Sequence, residues 1–332
     1  MNFQAKILIR GPNWIGDHVM ARPFYRGLRQ LYPKNHLALL CPLELSELPL
    51  ESFDEVIPIA PARRPFPKIL SYAKVLLAKK FDLAITLPAS LSSACLLFAA
   101  RIPSRIGYFQ GPARLFLTEG LEWKGPKSLR HKSSLYMELL VWMAAGNPIG
   151  LSTDWTGSAR TSRAKIIVVA PGAALPLREW PYFPELVKQM SERYPDYRII
   201  TVGSPREEKW SSRFRRCQLK VEDRIGKTTL TQLVDLCAQA SLVIANDSGV
   251  AHLAASVAGV PTVVLFGPGD PRYVTPLGDR VCVVRTELPC SPCESPRCRA
   301  PYGYQRCLKD LSVGKVLEAV NELIGNVTGG EK

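Results

Sequence analysis

Two doubly wound α/β domains, each a parallel sheet covered by helices, are the fold class that this sequence predicts, and three observations predict it. The chain has 332 residues, more than one ordinary hydrophobic core accommodates. Apolar, β-branched runs alternate with helical patterns up to residue 150, and a polar segment at 150–163 (GLSTDWTGSARTSR) precedes a second series of the same kind. Finally, residues 241–270 read as a complete β–turn–α–turn–β unit, the building block of a parallel sheet. The domains are expected over 1–155 and 156–332.

Lys6–Arg10 (KILIR) is the first buried strand. It ends in Gly11-Pro12-Asn13-Trp14-Ile15-Gly16-Asp17, and residues 19–31 read as one helix closed by Tyr32-Pro33. The Gly11-x4-Gly16 spacing imitates a P-loop, but Asp17 and His18 stand where Lys and Ser/Thr are required. An ATPase loop is thereby excluded. Further strands are expected at 36–41, 55–59, 82–87 and 105–108. The uncharged run 83–100 is long enough for a membrane span, but Pro88 and three serines divide it into strand, turn and short helix. The second series places strands at 165–170, 198–202, 242–245, 262–266 and 281–284. A last helix at 313–324 is expected to pack back on the first domain.

Net charge is +14 and uneven: residues 1–160 hold 20 Lys+Arg against 11 Asp+Glu, and the remainder 23 against 18. A basic first half points to an anionic partner: nucleic acid, an anionic membrane surface or a phosphorylated substrate. No long Lys/Arg run or basic tail is present, which argues against a dedicated nucleic-acid arm. The chain opens directly into a strand with no secretory leader, so a cytosolic protein is expected. Nine cysteines in such a chain are no disulfide framework. Four of them, Cys290-x2-Cys293-x4-Cys298-x8-Cys307, have a spacing that suits a structural zinc or an iron–sulfur cluster. Reduced loop thiols or an occasional disulfide are the alternative.

The candidate chemistry lies in the loops at strand carboxyl ends, where doubly wound sheets bind ligands. Asp17 follows the first strand; a carboxylate in a cleft suits a general base, and the plain alternative is a helix cap. Asp247-Ser248-Gly249 ends another strand with two N-cap residue types and a glycine, opening backbone N–H groups to an anion. His252 lies one turn further on, either facing the ligand or packed in the core. Gly172-Ala173-Ala174 and Arg178 follow the first strand of the second series, and Glu207 follows the next. Arg63, Arg64 and Lys68 surround prolines, while Arg130, His131 and Lys132 open a helix; either group suits phosphates or plain solvation.

With these motifs assembled, the sequence resembles the ADP-heptose–lipopolysaccharide heptosyltransferases. The resemblance rests on Gly16-Asp17, Pro171-Gly172-Ala173 with Arg178-x-Trp180-Pro181, Asn246-Asp247-Ser248-Gly249-x-x-His252-x-Ala254, and Phe266-Gly267-Pro268 with Asp270-Pro271. It runs from Lys6 to Leu323. Arg10–Asp17 and Pro289-Cys290-Ser291-Pro292-Cys293 look most like the heptosyltransferase II branch. The resemblance implies a GT-B fold and inverting transfer of heptose from ADP-heptose to the inner core of lipopolysaccharide, with no cofactor required. It implies Asp17 as catalytic carboxylate and Gly172, Ala173, Ala174, Arg178, Glu207, Asp247, Ser248, Gly249 and His252 as the donor site. Asn13, Trp14, Arg63, Arg64, Lys68, Arg130 and His131 fall in the acceptor region. It also implies an anionic glycolipid partner, transient contact with the inner face of the inner membrane, and no nucleic acid. A related transferase using another ADP-sugar or acceptor, heptosyltransferase I-like, is the nearest alternative, and a non-catalytic nucleotide- or nucleic-acid-binding module the more distant one.

Overall fold

Ile7, Leu8 and Ile9 are all fully buried, so the first strand is covered on both faces, as strands of parallel sheets are. The structure, a computed structural model, describes residues 5–48, 52–60, 65–123, 130–145, 163–301 and 303–328. The chain divides into two compact units, Met1–Thr153 and Asp154–Lys332.

In the first unit the strands are β1 (Lys6–Arg10), β2 (His36–Pro42), β3 (Glu55–Ile59), β4 (Leu83–Thr86), β5 (Ser104–Phe109) and β6 (Glu119–Glu122). The helices are α1 (Ile15–Met20), α2 (Arg22–Leu31), α3 (Pro65–Lys79), α4 (Leu91–Ala99) and α5 (Lys132–Met143). All strands pair in parallel in the order β3-β2-β1-β4-β5-β6. The chain reverses its winding direction between β1 and β4, and the loops leaving β1 open at that switch point. Leu8, Ala38, Leu40 and Ala84 pack against Ala73 and Leu76 of α3 and Leu96 and Leu97 of α4, so these two helices cover one sheet face.

The second unit repeats the plan. Its strands are β7 (Ala164–Ala170), β8 (Arg198–Thr201), β9 (Glu222–Asp223), β10 (Ala240–Asn246), β11 (Thr262–Phe266) and β12 (Val281–Arg285). Its helices are α6 (Phe183–Arg193), α7 (Glu208–Arg216), α8 (Leu230–Gln239), α9 (Gly249–His252), α10 (Pro271–Val274), α11 (Arg306–Lys309) and α12 (Val313–Thr328). The order β9-β8-β7-β10-β11-β12, again all parallel, is that of the first sheet strand for strand. Ala245 stands opposite Ala170, so the loops after β7 and β10 start side by side.

The structure departs from expectation in two local places. The edge strands β6 and β9 carry glutamate, glycine and aspartate, which hide them from a search for apolar runs. The helix expected over 19–31 begins at Ile15 and breaks at Ala21, ahead of Pro23, into α1 and α2. In α12, Val316, Ala319, Val320, Leu323 and Ile324 join the core of the second unit. The run 83–100 is strand β4, a turn and α4, whose N-cap Ser90 accepts a hydrogen bond from the Ser93 amide. No described helix is long and apolar enough to cross a membrane.

Candidate active site

At the switch point of the first sheet, Asp17 is the third residue of α1; Trp14, not Asp17, is the N-cap residue. Asp17 is not a cap. Its Oδ2 lies 2.6 Å from Nζ of Lys132, the first residue of α5, and the two side chains are 20% and 17% exposed. The carboxylate is thus held by one cation while remaining reachable from solvent. Below it, His18 is buried and its Nδ1 lies 3.2 Å from the Tyr25 hydroxyl, while its Nε2 has no hydrogen-bond partner among the described residues. Burial first, then Arg22 and Arg10, push His18 down to about 4. Arg10, also buried, donates to the Gly11 carbonyl and to the Asn13 side chain, fixing the loop that leads to Asp17. Burial lowers its own pKa to about 10.

The acceptor-region residues divide. Trp14 is 63% exposed beside Asp17, and Asn13 is exposed as well. His131 is the N-cap residue of α5, its Nδ1 accepting from the Ser133 amide at 3.3 Å. Arg130 forms an ion pair with Glu138 at 3.0 Å. Arg63 and Arg64 lie outside the described residues, and of Lys68 only its place in α3 is described. Lys132, expected among the anion-binding cations, is the partner of Asp17. A pair separated by 115 residues leaves no local signal in the sequence.

In the second unit the charges gather after β7 and β10. Arg178, in the 3-10 turn Pro176–Arg178, donates from Nη1 to Asp247 Oδ2 at 2.7 Å and lies 3.6 Å from Glu294. The sequence expects Asp247 or Ser248 to cap α9. Ser248 holds the cap position, but its hydroxyl makes no capping bond, and the Asp247 carboxylate pairs with Arg178. The Asp247 side chain is 5% exposed, and a Cβ at Gly269 would collide with its Oδ2. Two polar atoms here are buried without a partner among the described residues: Arg178 Nε and Ser248 Oγ. Such orphans cost about 1–3 kcal/mol each unless a ligand or water meets them. His252 is 3% exposed at the end of α9, where the helix widens into a π turn, Leu253–Val257. Single π turns are frequent at functional sites.

Asn246 ties the two loops together. Its Oδ1 accepts from the Trp180 amide at 3.0 Å and its Nδ2 donates to the Pro171 carbonyl at 2.8 Å. Gly172-Ala173-Ala174 follows directly. Glu207 forms a capping box with Ser204 and lies so close to Gly172 that a Cβ there would strike its carboxylate. Burial pushes the Glu207 carboxyl up, against the pull of the Ser204 amide.

The cysteine loop supports this turn. Gln305, with left-handed backbone (φ 60°), donates from Nε2 to the carbonyls of Pro176, Leu177 and Glu179 at 3.3, 3.1 and 2.9 Å. Its own amide donates to Cys298 Sγ at 3.3 Å. All four loop cysteines are free thiols. Among the described residues no group of three or more His, Cys, Asp or Glu is placed to hold a metal ion. Burial first, then the neighbouring thiols of Cys293, Cys290 and Cys298, push Cys307 up to about 11. The sequence did not assign Asn246, Glu294 or Gln305 to the site, although Asn246 opens the Asn246–Ala254 motif and the other two lie within the cysteine spacing.

Comparison with known proteins follows from this geometry. Residues 69–302 match the model of glycosyltransferase family 9 (heptosyltransferase). Lipooligosaccharide heptosyltransferase 2 of Haemophilus ducreyi is 28% identical, over 96% of this chain and 99% of that protein. Lipopolysaccharide heptosyltransferase 2 of Escherichia coli is 27% identical, over 96% and 98%. Among solved structures, that of Escherichia coli ADP-heptose LPS heptosyltransferase II matches with a TM-score of 0.74 at 24% identity, covering 97% of this chain and 99% of that one. A family 9 glycosyltransferase from Veillonella parvula matches with a TM-score of 0.75 at 22% identity, covering 97% of each.

Proposed function

The chain belongs to glycosyltransferase family 9, the heptosyltransferases, and on that premise we propose that it transfers L-glycero-D-manno-heptose from ADP-heptose to the inner core of lipopolysaccharide. The acceptor is heptosyl-Kdo-lipid A, as in a heptosyltransferase II, and transfer inverts the anomeric carbon. The acceptor hydroxyl oxygen forms the new bond to that carbon as the bond to the diphosphate breaks. Its proton goes to Asp17, and ADP departs with the bonding electrons. The observation that carries this reading is the Asp17–Lys132 pair at the switch point of the first sheet: a carboxylate fixed by one cation on one oxygen and open to solvent. General-base assistance of this kind contributes about 10²–10⁴ in rate.

Donor binding falls to the second unit in this proposal. Arg178 Nε and Ser248 Oγ supply unmet donors for phosphate oxygens, and the first amides of α9 add backbone donors. Arg178 already faces two carboxylates, so an incoming diphosphate must displace at least Glu294 from it. Asp247 then accepts sugar hydroxyls. Glu207 accepts from the ribose, His252 lines the phosphate turn, and Gly172, Ala173 and Ala174 let the nucleotide approach the backbone. Trp14, Asn13, Arg63, Arg64, Lys68, Arg130 and His131 face the anionic acceptor. The protein works at the cytoplasmic face of the inner membrane, needs no metal for catalysis, and does not take nucleic acid as a partner.

An ADP-release assay with a panel of ADP- and UDP-sugars and truncated lipopolysaccharide cores tests this. Turnover with ADP-heptose on a core that ends in one heptose, undiminished by EDTA, is the expected result. Turnover only on a heptose-free core moves the assignment to a heptosyltransferase I-like activity, and turnover with another nucleotide sugar overturns the donor.

A further inference from the structure

Helix α3 is apolar on both sides. Ala73 and Leu76 are buried against the sheet, as one face of a surface helix should be. Its other face holds Leu70, Val75 and Leu77, which are 65%, 49% and 43% exposed, with Lys74 among them. Next to α3 lies α4, whose Phe98 is 52% exposed and stacks edge-on against Phe116 with ring centroids 5.4 Å apart. Phe116 ends the 3-10 turn Gly111–Phe116, where Leu115 is 80% exposed. Arg105 lies over the Phe98 ring at 5.4 Å and Arg114 over the Phe109 ring at 4.8 Å. One layer of the first unit therefore turns five large apolar side chains outward.

The charge on this layer is predominantly basic, although Glu122 pairs with Arg114 and Glu55 with Lys79 from outside it. Residues 65–117 contain seven Lys and Arg and a single acid, Asp82. Asp82 is turned to the Lys6 amide, 2.8 Å away. Contiguous exposed apolar surface rimmed by charge marks an interaction site. A protein partner fits poorly, since interface cores are depleted of lysine. Leucine, valine and phenylalanine interleaved with Lys and Arg suit the boundary between headgroups and acyl chains of an anionic bilayer.

We propose that the outer face of α3, α4 and the Gly111–Phe116 turn docks on an anionic phospholipid bilayer, with Leu70, Leu77, Phe98 and Leu115 entering the headgroup–acyl boundary and Lys74, Arg105 and Arg114 meeting lipid phosphates. This assigns a face to the membrane contact of the proposed function, yet it stands on surface chemistry independent of the sugar transferred.

Vesicle flotation of the full chain tests it, comparing phosphatidylcholine alone with phosphatidylcholine plus phosphatidylglycerol and cardiolipin. Binding is expected only with the anionic lipids, and to weaken with added salt. The double variant Leu77→Gln/Leu115→Gln should lose at least about tenfold in binding. Lys74→Glu should lose about fivefold or more. Val141→Gln, on the exposed side of α5, should bind as wild type. ADP release on a water-soluble truncated core, and the thermal midpoint, should be unchanged in all three. Transfer without vesicle binding overturns the docking face alone, and vesicle binding without transfer overturns the transferase reading alone. Flotation that the double variant does not weaken, or loss of binding by Val141→Gln equally, moves the contact to another face. Concentration-dependent dimers abolished by the double variant show that a second copy covers this face, and overturn the proposal.

Discussion

Both units thread six parallel strands in the same order, yet each sets an acid–base pair at a different strand end and a different depth. In the first unit the acid follows β1 and is a fifth exposed beside a lysine. In the second the acid follows β10 and is 5% exposed beside an arginine, with a second carboxylate behind it. A reachable carboxylate with a single point-charge partner can exchange a proton with an arriving hydroxyl. A walled-in carboxylate on a planar guanidinium is suited to holding a ligand in one orientation. Under the proposed function, one topology supports a reacting loop and a gripping loop, and burial separates the two.

The sharpest way to break this comparison is to neutralise each acid's unit in turn. Asp17→Asn should lower transfer by about 10³ while leaving ADP titration unchanged, because an amide accepts no proton. If ADP binding fell and the rate per bound donor did not, the two roles would have to be exchanged.

Acid sensitivity should separate the units next. His18 is held down to about 4, whereas the same side chain titrates near 6.5 when unfolded, so the unfolded chain takes up the proton first. The stability contributed by the neutral folded form is full above pH 6.5 and is lost as pH falls through 4, an amount of about 3 kcal/mol. Urea midpoints of the first unit's transition should therefore fall over that window, and His18→Gln should flatten the slope. Glu207 in the second unit has the opposite sign: its raised folded pKa favours the folded state below its unfolded value, a gain that fades as pH rises.

Arg178→Ala should cost about 10² in kcat/KM, with the KM for donor rising. Arg178→Lys should recover only part, since a lysine cannot replace a fork of donors. The smallest effect is expected from Gln305→Ala. Losing an amide that serves three carbonyls should destabilise the second unit by about 1–3 kcal/mol and raise the donor KM without altering the pH profile of kcat. A changed pH profile would mean that Gln305 acts on the reacting groups themselves.

What the sequence revealed and what it hid follow from the range of the forces involved. Strands such as β1, β7, β10 and β11 are buried on both faces, so their apolar runs are visible from the residues alone. Asp17, Asp247 and Arg178 could be proposed from the sequence because they lie in the loops that follow such runs. The partners were not: Lys132 lies far along the chain from Asp17, and Gln305 reaches its carbonyls from more than a hundred residues away. Ser248 takes the cap position that its residue type suggests but makes no capping bond, since residue type says where a hydroxyl can bond and not whether it does. The cysteine spacing does bring Cys290, Cys293 and Cys298 near Cys307, which the fold also buries.

The segment between β12 and α11, residues 286–305, is longer than the roughly 12–15 residues beyond which plain connections become uncommon. Its reach is explained by what hangs on its far end: the Gln305 amide, carried back to the turn after β7, and Glu294, carried to Arg178. Splicing out 295–303 would leave twelve strands and every buried sheet residue in place while cutting the guy-rope that keeps the guanidinium aimed. Length in this excursion is thus a requirement of aim, and a chain trimmed there would fold around a site that no longer points at anything.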